Sequence, residues 1–417
     1  MKKIIALLLA AIMVLGLAAC ASKTEPAADT TTAEPAAEPA ETTEETPAAA
    51  ETPAAEAPAA ETPADSASEG PAATSLGLTP LAERTTIDLG YFSGALYSAI
   101  VYGADQKGWF DEVGIDLNYQ SFSAGPAMME ANANWDIGLA GGPGALSGLV
   151  GYDIHCIAVV DHEVEQRLYV RPDSAIAQSG KGHIEGYPNI MGTPDDWRGT
   201  TWIMPVGTTI YKVFVDTLGK LGLTLDDVTV INMDVSSAKS AFLGGQGDGI
   251  GCWNTISFAV ADEGYPIAAS SEDGSILPSA IVATQDGLTN KFDAIQKFLE
   301  VFVKAQDYFS AHHDEYAAYN YETCNEEGVT CTEDSSARFI ETYAFIPGDE
   351  IIRNALTMVD DANGSGQVSV MASDLLGMMD FFIELGTYTK ENRAHILDNN
   401  LIDSSVAQAV AADLGIQ

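Results

Sequence analysis

From Thr86 to about Thr284 the chain repeats one local unit: a short β-branched and aromatic run, a loop of small polar residues, then a helical pattern. No other feature restricts the fold as much. Strands separated by helices pair mainly in parallel through right-handed crossovers, which predicts α/β sheets flanked by helices. The first series runs "TIDLGYF" (Thr86 to Phe92), "IDLNYQSF" (Ile115 to Phe122), "WDIGLAG" (Trp135 to Gly141) and "IHCIAVVD" (Ile154 to Asp161). A second begins near Leu168 and includes "TTWIMPV", "VTVINMD" and "GIGCWN"; after "SAIVAT" (Ser279 to Thr284) the pattern is helical to the C-terminus. At roughly 100–200 residues per domain, this body predicts two lobes. Residues 81–167 and 276–417 form lobe one in this reading, and 168–275 form lobe two.

The region before this body cannot join it. Residues 1–20, "MKKIIALLLAAIMVLGLAAC", have a basic start, an apolar run too short to span a bilayer comfortably, and small residues before Cys20. That is the pattern of an export signal. The "LAAC" ending resembles a bacterial lipoprotein lipobox, which implies lipidation at Cys20 and a membrane tether outside the cytoplasm. Residues 21–80 are mostly Ala, Thr, Glu and Pro, with almost no large apolar side chain to offset ordering entropy, and are expected to form a disordered acidic stalk.

Formal net charge is -41, which argues against nucleic acid or an anionic lipid surface as a partner. Of the five cysteines, Cys156 and Cys252 sit in strand-like runs and read as small buried hydrophobes. Cys324 and Cys331 bracket the polar loop "CNEEGVTC", and either a local disulfide or two free thiols is compatible with it.

In open α/β sheets ligands collect where strands end. Here those places carry "SGALY" (Ser93 to Tyr97), "SAGP" (from Ser123), "GGPG" (from Gly141), "DHEVEQR" (from Asp161), "VGTT" (Val206 to Thr209), "DVSS" and "CWNT". Their recurrence after successive strands predicts one crevice of close backbone and hydroxyl donors. Trp253, and to a lesser degree Tyr97, would give it a flat wall. Asp161 and His162 read as crevice or hinge residues. Gly207-Thr208-Thr209 stands where an extended run meets a helix, so it could hold an anion on free helix-start amides or cap the helix through a threonine hydroxyl.

Catalytic and metal patterns are incomplete. "HEVEQ" (His162 to Gln166) has Gln166 where a zinc protease needs its second histidine, and neither a GxSxG elbow nor a GxxxxGK[ST] loop occurs. "DANGSGQVSVMA", from Asp361, has Ala372 where a calcium loop needs its acid, and reads as a turn connecting helices. No metal, no cofactor and no enzyme activity are expected.

The stretches "LGYFSGALYSAIVYGADQKGWFDEVGIDLNYQSFSAGPAMMEA", "WDIGLAGGPGALSGLVGYDIHCIAVV" and "DWRGTTWIMPVGTTIYKVFVDTLGKLGL" resemble the substrate-binding proteins of nitrate, sulfonate and taurine-type ABC importers, and more broadly the thiamine-pyrimidine proteins of similar fold. The resemblance covers about Thr86 to Ala283. It implies a two-lobed type II periplasmic-binding-protein fold, a small-molecule solute, an ABC permease with its ATPase as partners, and a monomer. It implies solute contacts at Ser93, Tyr97, Ser123, Gly141, Gly142, Gly207, Thr208, Thr209 and Trp253. The segment Ile176 to Trp197 is longer than the family's usual connector. With Arg167 and Lys212 the only obvious basic residues near the crevice, the resemblance does not carry over an anionic solute. An exported enzyme-like relative of the pyrimidine-synthesis proteins and a surface adhesin are the other two readings.

Overall fold

A computed structural model describes residues 74–92, 95–122, 124–163 and 165–417. The export signal, Cys20 and the stalk therefore lie outside the described residues, as do Ser93 and Ser123.

Two five-stranded sheets organise the body. The first contains β1 (Thr85–Phe92), β2 (Ile115–Phe122), β3 (Ile137–Gly141), β4 (His155–His162) and β10 (Pro278–Ala283), in the order β2-β1-β3-β10-β4. The second contains β5 (Gln166–Val170), β6 (Thr201–Met204), β7 (Thr229–Asn232), β8 (Gly249–Trp253) and β9 (Ile267–Ser270), in the order β7-β6-β8-β5-β9. β1 pairs in parallel with β2 and β3, and β6 with β7 and β8, as alternating strands and helices require.

Each sheet is mostly parallel, as expected, but holds one strand that runs against the other four. β10 runs antiparallel to β3 and β4, and β5 antiparallel to β8 and β9. The chain passes between the sheets twice, between β4 and β5 and between β9 and β10. Both passages leave from carboxyl ends of strands. A strand arriving by such a passage enters its new sheet where the neighbouring strands finish, so it must run against them. β9, "IAAS", is also a strand that the sequence reading overlooked, because it is short and built of small residues.

The central strands form because they are buried on both faces. Every residue of β3 and β10 is buried, the condition under which alternation disappears and continuous apolar runs appear. In the second sheet Trp202 of β6 stacks on Trp197 at 4.8 Å, and both are fully buried; large side chains removed from water in this way stabilise by about 1.5–3 kcal/mol each. Trp197 also fastens the long 176–197 connector, donating from its indole to the Met191 carbonyl at 2.8 Å, while the Met191 amide donates to Ala268 at 2.8 Å.

After β10 the chain is largely helical and returns to the first sheet. Helix Phe292–Phe309 buries Phe298, Leu299 and Phe302, Asp161 bridges to Phe345, and Cys156 bridges to Ile402. The Asp361 segment is not a helix connector: it turns a short hairpin of Met358–Asp360 with Gln367–Ser369, and Asp361 accepts from the Arg393 guanidinium at 2.5 Å. The charged pair with Arg393 satisfies that carboxylate.

Candidate functional site

Strand ends from both sheets line one cavity. Tyr97 follows β1, Gly141 ends β3, and Asp161 lies near the end of β4; Gly207, Thr208 and Thr209 follow β6, and Trp253 ends β8. Phe339 and Tyr343, from the C-terminal helical region, complete the wall. The cavity volume is about 60 Å³, several times the roughly 10–15 Å³ that one water needs, so it suits a small solute.

The turn at Gly207 shows how the second sheet meets the first. Gly207 has φ 76°, in the left-handed region that favours glycine. Thr208 precedes helix Thr209–Lys220. Its hydroxyl does not cap that helix: it donates to the Pro205 carbonyl at 2.7 Å. Thr209 is buried, and its hydroxyl donates at 2.8 Å to a carboxyl oxygen of Glu163. The turn does hold an acidic group, then, and the group belongs to the protein.

Glu163 sits in the passage from β4 to β5. One oxygen accepts from Thr209 and from the Gln166 amide at 2.6 Å, and the other accepts from the Ser279 hydroxyl at 3.1 Å. A Cβ at Gly141 would lie 2.9 Å from that second oxygen, so glycine there leaves the space the carboxyl occupies. Burial pushes Glu163 up to about 8, and the neighbouring Asp161 charge adds to the shift.

Two further carboxyls face the same space. Asp161 is almost wholly buried and accepts from the Tyr343 hydroxyl at 2.6 Å through Oδ2, while Oδ1 has no hydrogen-bond partner among the described residues. Burial raises it, and the nearby Ser279 and Tyr343 hydroxyls oppose the rise, although the one Ser279 proton is directed to Glu163. Glu165 pairs with the Arg167 guanidinium at 2.9 Å and accepts from Ser257 at 3.2 Å. Burial still pushes it up to about 7 against the pull of Arg167.

Seven of the residues singled out from the sequence line the cavity: Tyr97, Gly141, Asp161, Gly207, Thr208, Thr209 and Trp253. His162 does not, since its ring pairs with Asp374 at 3.0 Å. Gly142 does not either; a Cβ there would meet the Met378 sulfur at 2.6 Å and the Pro278 carbonyl at 2.9 Å, which makes it a packing glycine. No residue of the 176–197 connector lines the cavity.

Sequence reasoning missed Glu163, Glu165, Asn254, Phe339 and Tyr343. The first two lay in plain view inside "DHEVEQR", but their convergence on Thr209 depends on where the second sheet is placed. Asn254 carried a signal of its own kind only in the backbone: it has φ 53°, rare for a residue with a side chain and concentrated at functional sites. Phe339 and Tyr343 come from a distant helix and its end, where nothing local marks them.

Comparison with known proteins places this geometry. A family model described as NMT1/THI5 like matches residues 95–316. A Brucella abortus (strain 2308) protein provisionally described as a binding protein is 28% identical over 252 residues, which cover 58% of this chain and 73% of that protein. The alkanesulfonate-binding protein SsuA from Xanthomonas axonopodis pv. citri, solved bound to MOPS, is 17% identical with a TM-score of 0.56, covering 74% of this chain and 95% of that one. The periplasmic nitrate-binding protein NrtA from Synechocystis PCC 6803 is 12% identical with a TM-score of 0.57, covering 80% and 90%. At such identities the two solved structures share the fold.

Proposed function

The chain belongs to the NMT1/THI5-like family, and from that premise we propose that it is an extracytoplasmic, non-catalytic receptor that captures a small solute and hands it to an ABC-type permease. One observation carries this reading. Loops that end strands in both sheets, at Tyr97, Gly141, Thr209 and Trp253, line a single cavity.

In this reading lobe one comprises 81–167 and 276–417, lobe two comprises 168–275, and the two passages between the sheets are the hinge. A solute touching both lobes favours the closed arrangement by its extra contacts there, and closure converts binding into a shape that a permease can recognise. The contacts assigned to the solute are Ser93, Tyr97, Ser123, Gly141, Asp161, Gly207, Thr208, Thr209 and Trp253. Ser93 and Ser123 enter by their places after β1 and β2.

The chain acts as a monomer outside the cytoplasm, tethered by lipid at Cys20 through the 21–80 stalk. Among the described residues no helix is long and apolar enough to cross a membrane, which suits an acyl anchor. A thermal-shift screen of small solutes tests the receptor reading. A hit recovered chemically unchanged supports it, and conversion of the hit to product would instead favour an enzyme. Absence of any stabilising solute would sink it.

Cys324 and Cys331 extend this reading. Both thiols are free, and the neighbouring Cys324 thiol lowers Cys331 below the usual cysteine value. Their loop also reaches helices beside β8: Thr255 donates to the Thr330 carbonyl, and Lys239 donates to the Thr330 hydroxyl, each at 2.7 Å. An oxidising compartment would close the pair as a disulfide, each thiol giving up a proton and an electron to a disulfide oxidant.

A further inference from the structure

Resting on the receptor reading, we propose that the crevice takes a small organic cation, a protonated amine or amidine on a flat apolar body, and excludes nitrate-like and sulfonate-like anions.

The charge census of the cavity carries the inference. Three carboxyl side chains line it, Asp161, Glu163 and Glu165, and no lysine or arginine does. Arg167 pairs with Glu165 at 2.9 Å. Lys212, the other basic residue near the crevice, is taken by Asp216 at 2.6 Å beneath the Phe381 ring. Asp161 and Glu163 are left without a lysine or arginine partner among the described residues.

The hydroxyl at the helix start, one donor that could have met an anion, is also taken. Thr209 donates to Glu163, so the position where an oxyanion would bind holds a carboxyl of the protein. A solute anion there would find the Thr209 donor already taken and a carboxyl in its place.

Asp161 shows that something is missing. Its Oδ1 is buried in the cavity wall with no hydrogen-bond partner among the described residues, although Oδ2 is satisfied by Tyr343. An unpaired acceptor in that setting is costly until a donor arrives. A protonated amine supplies the donor and the countercharge together. The raised proton affinities of Glu163 and Glu165 fit the same picture, since burial without enough positive charge holds protons on both.

The remaining wall selects the body of the solute. Trp253, Phe339, Tyr97 and Tyr343 place aromatic rings around the acids, the combination that binds organic cations through ring faces as well as charge. A bare metal ion is a poorer match, because among the described residues no three acidic, histidine or cysteine side chains are grouped to hold one.

The test uses the full-length chain and panels of amines, alcohols and sulfonates matched in shape, on aromatic and aliphatic bodies, with benzylamine, benzyl alcohol and benzenesulfonate as the reference trio and nitrate alongside. Thermal shift and calorimetry should show an amine binding at least about tenfold more tightly than its matched alcohol, with no stabilisation by nitrate or any sulfonate. Asp161→Asn should remove most of that preference by lowering amine affinity far more than alcohol affinity, and the comparison on the unaltered protein stands even where this variant folds poorly. Stabilisation by an anion or an alcohol, with amines equal or weaker, would overturn the cation assignment and leave the receptor reading intact. Stabilisation by no solute of any charge would overturn both.

Discussion

The Thr209 hydroxyl donates a 2.8 Å hydrogen bond to Glu163, joining the first helix after β6 to the passage between the sheets. Ser279, at the start of the returning strand β10, donates to the same carboxyl. One acid therefore connects both passages with the second sheet. Thr209→Val removes a single donor from it without changing side-chain shape much. Urea denaturation should show a loss of about 1–2 kcal/mol, and solute binding should weaken because Glu163 is no longer held in place.

The buried acids make stability depend on pH. Glu163 is pushed up to about 8 and Glu165 to about 7 by burial, above the roughly 4.3 of a glutamate in an unfolded chain. A raised acid binds more protons folded than unfolded. Its stabilising contribution is complete below the unfolded value and is lost as pH rises through the folded one. The melting temperature of the solute-free protein should therefore fall between about pH 5 and 8. Glu163→Gln should flatten the slope, and an unchanged slope would refute the assignment of that carboxyl.

Trp253 is half-buried at the end of β8 and lines the cavity. As part of the cavity wall it offers a flat apolar surface, so Trp253→Ala should lower affinity for the identified solute by about tenfold or more. Unfolding should change less than for a core tryptophan such as Trp202. Calorimetry with unchanged affinity would show that the ring does not touch solute.

Tyr343 reaches Asp161 from the end of helix Glu333–Thr342, and its ring meets Phe345 edge-on at 4.5 Å. Tyr343→Phe keeps the ring and deletes the donor. Since Asp161 is buried, the cost should be about 1–3 kcal/mol in denaturant unfolding. Asp161 would also take up protons more readily, which titration by NMR would show.

Oxidised protein should prove lighter by two hydrogens in the peptide joining Cys324 to Cys331, with Cys156 and Cys252 alkylated only after unfolding. Those two are fully buried and burial raises both thiols. Equal labelling of all four in the folded state would contradict the pairing.

What the sequence determined by itself was local and periodic. The strand runs around Ile87, Leu117, Leu139 and Ile203, the helices after them, and the small polar residues at their ends all follow from side-chain size, branching and burial pattern, which act over a few neighbours. That was enough to place Tyr97, Gly141, Thr209 and Trp253 at one crevice. The tertiary structure decided the rest. It set β5 and β10 antiparallel, because passages between sheets enter at strand ends. It turned His162 toward Asp374 and away from the cavity, made Gly142 a packing residue, and brought Tyr343 against Asp161 across 182 positions. Above all it put Glu163 where the Thr209 turn might have held an anion from outside. Electrostatics in a buried crevice depends on which charges meet there, and residues distant in the chain carry no local mark of that meeting.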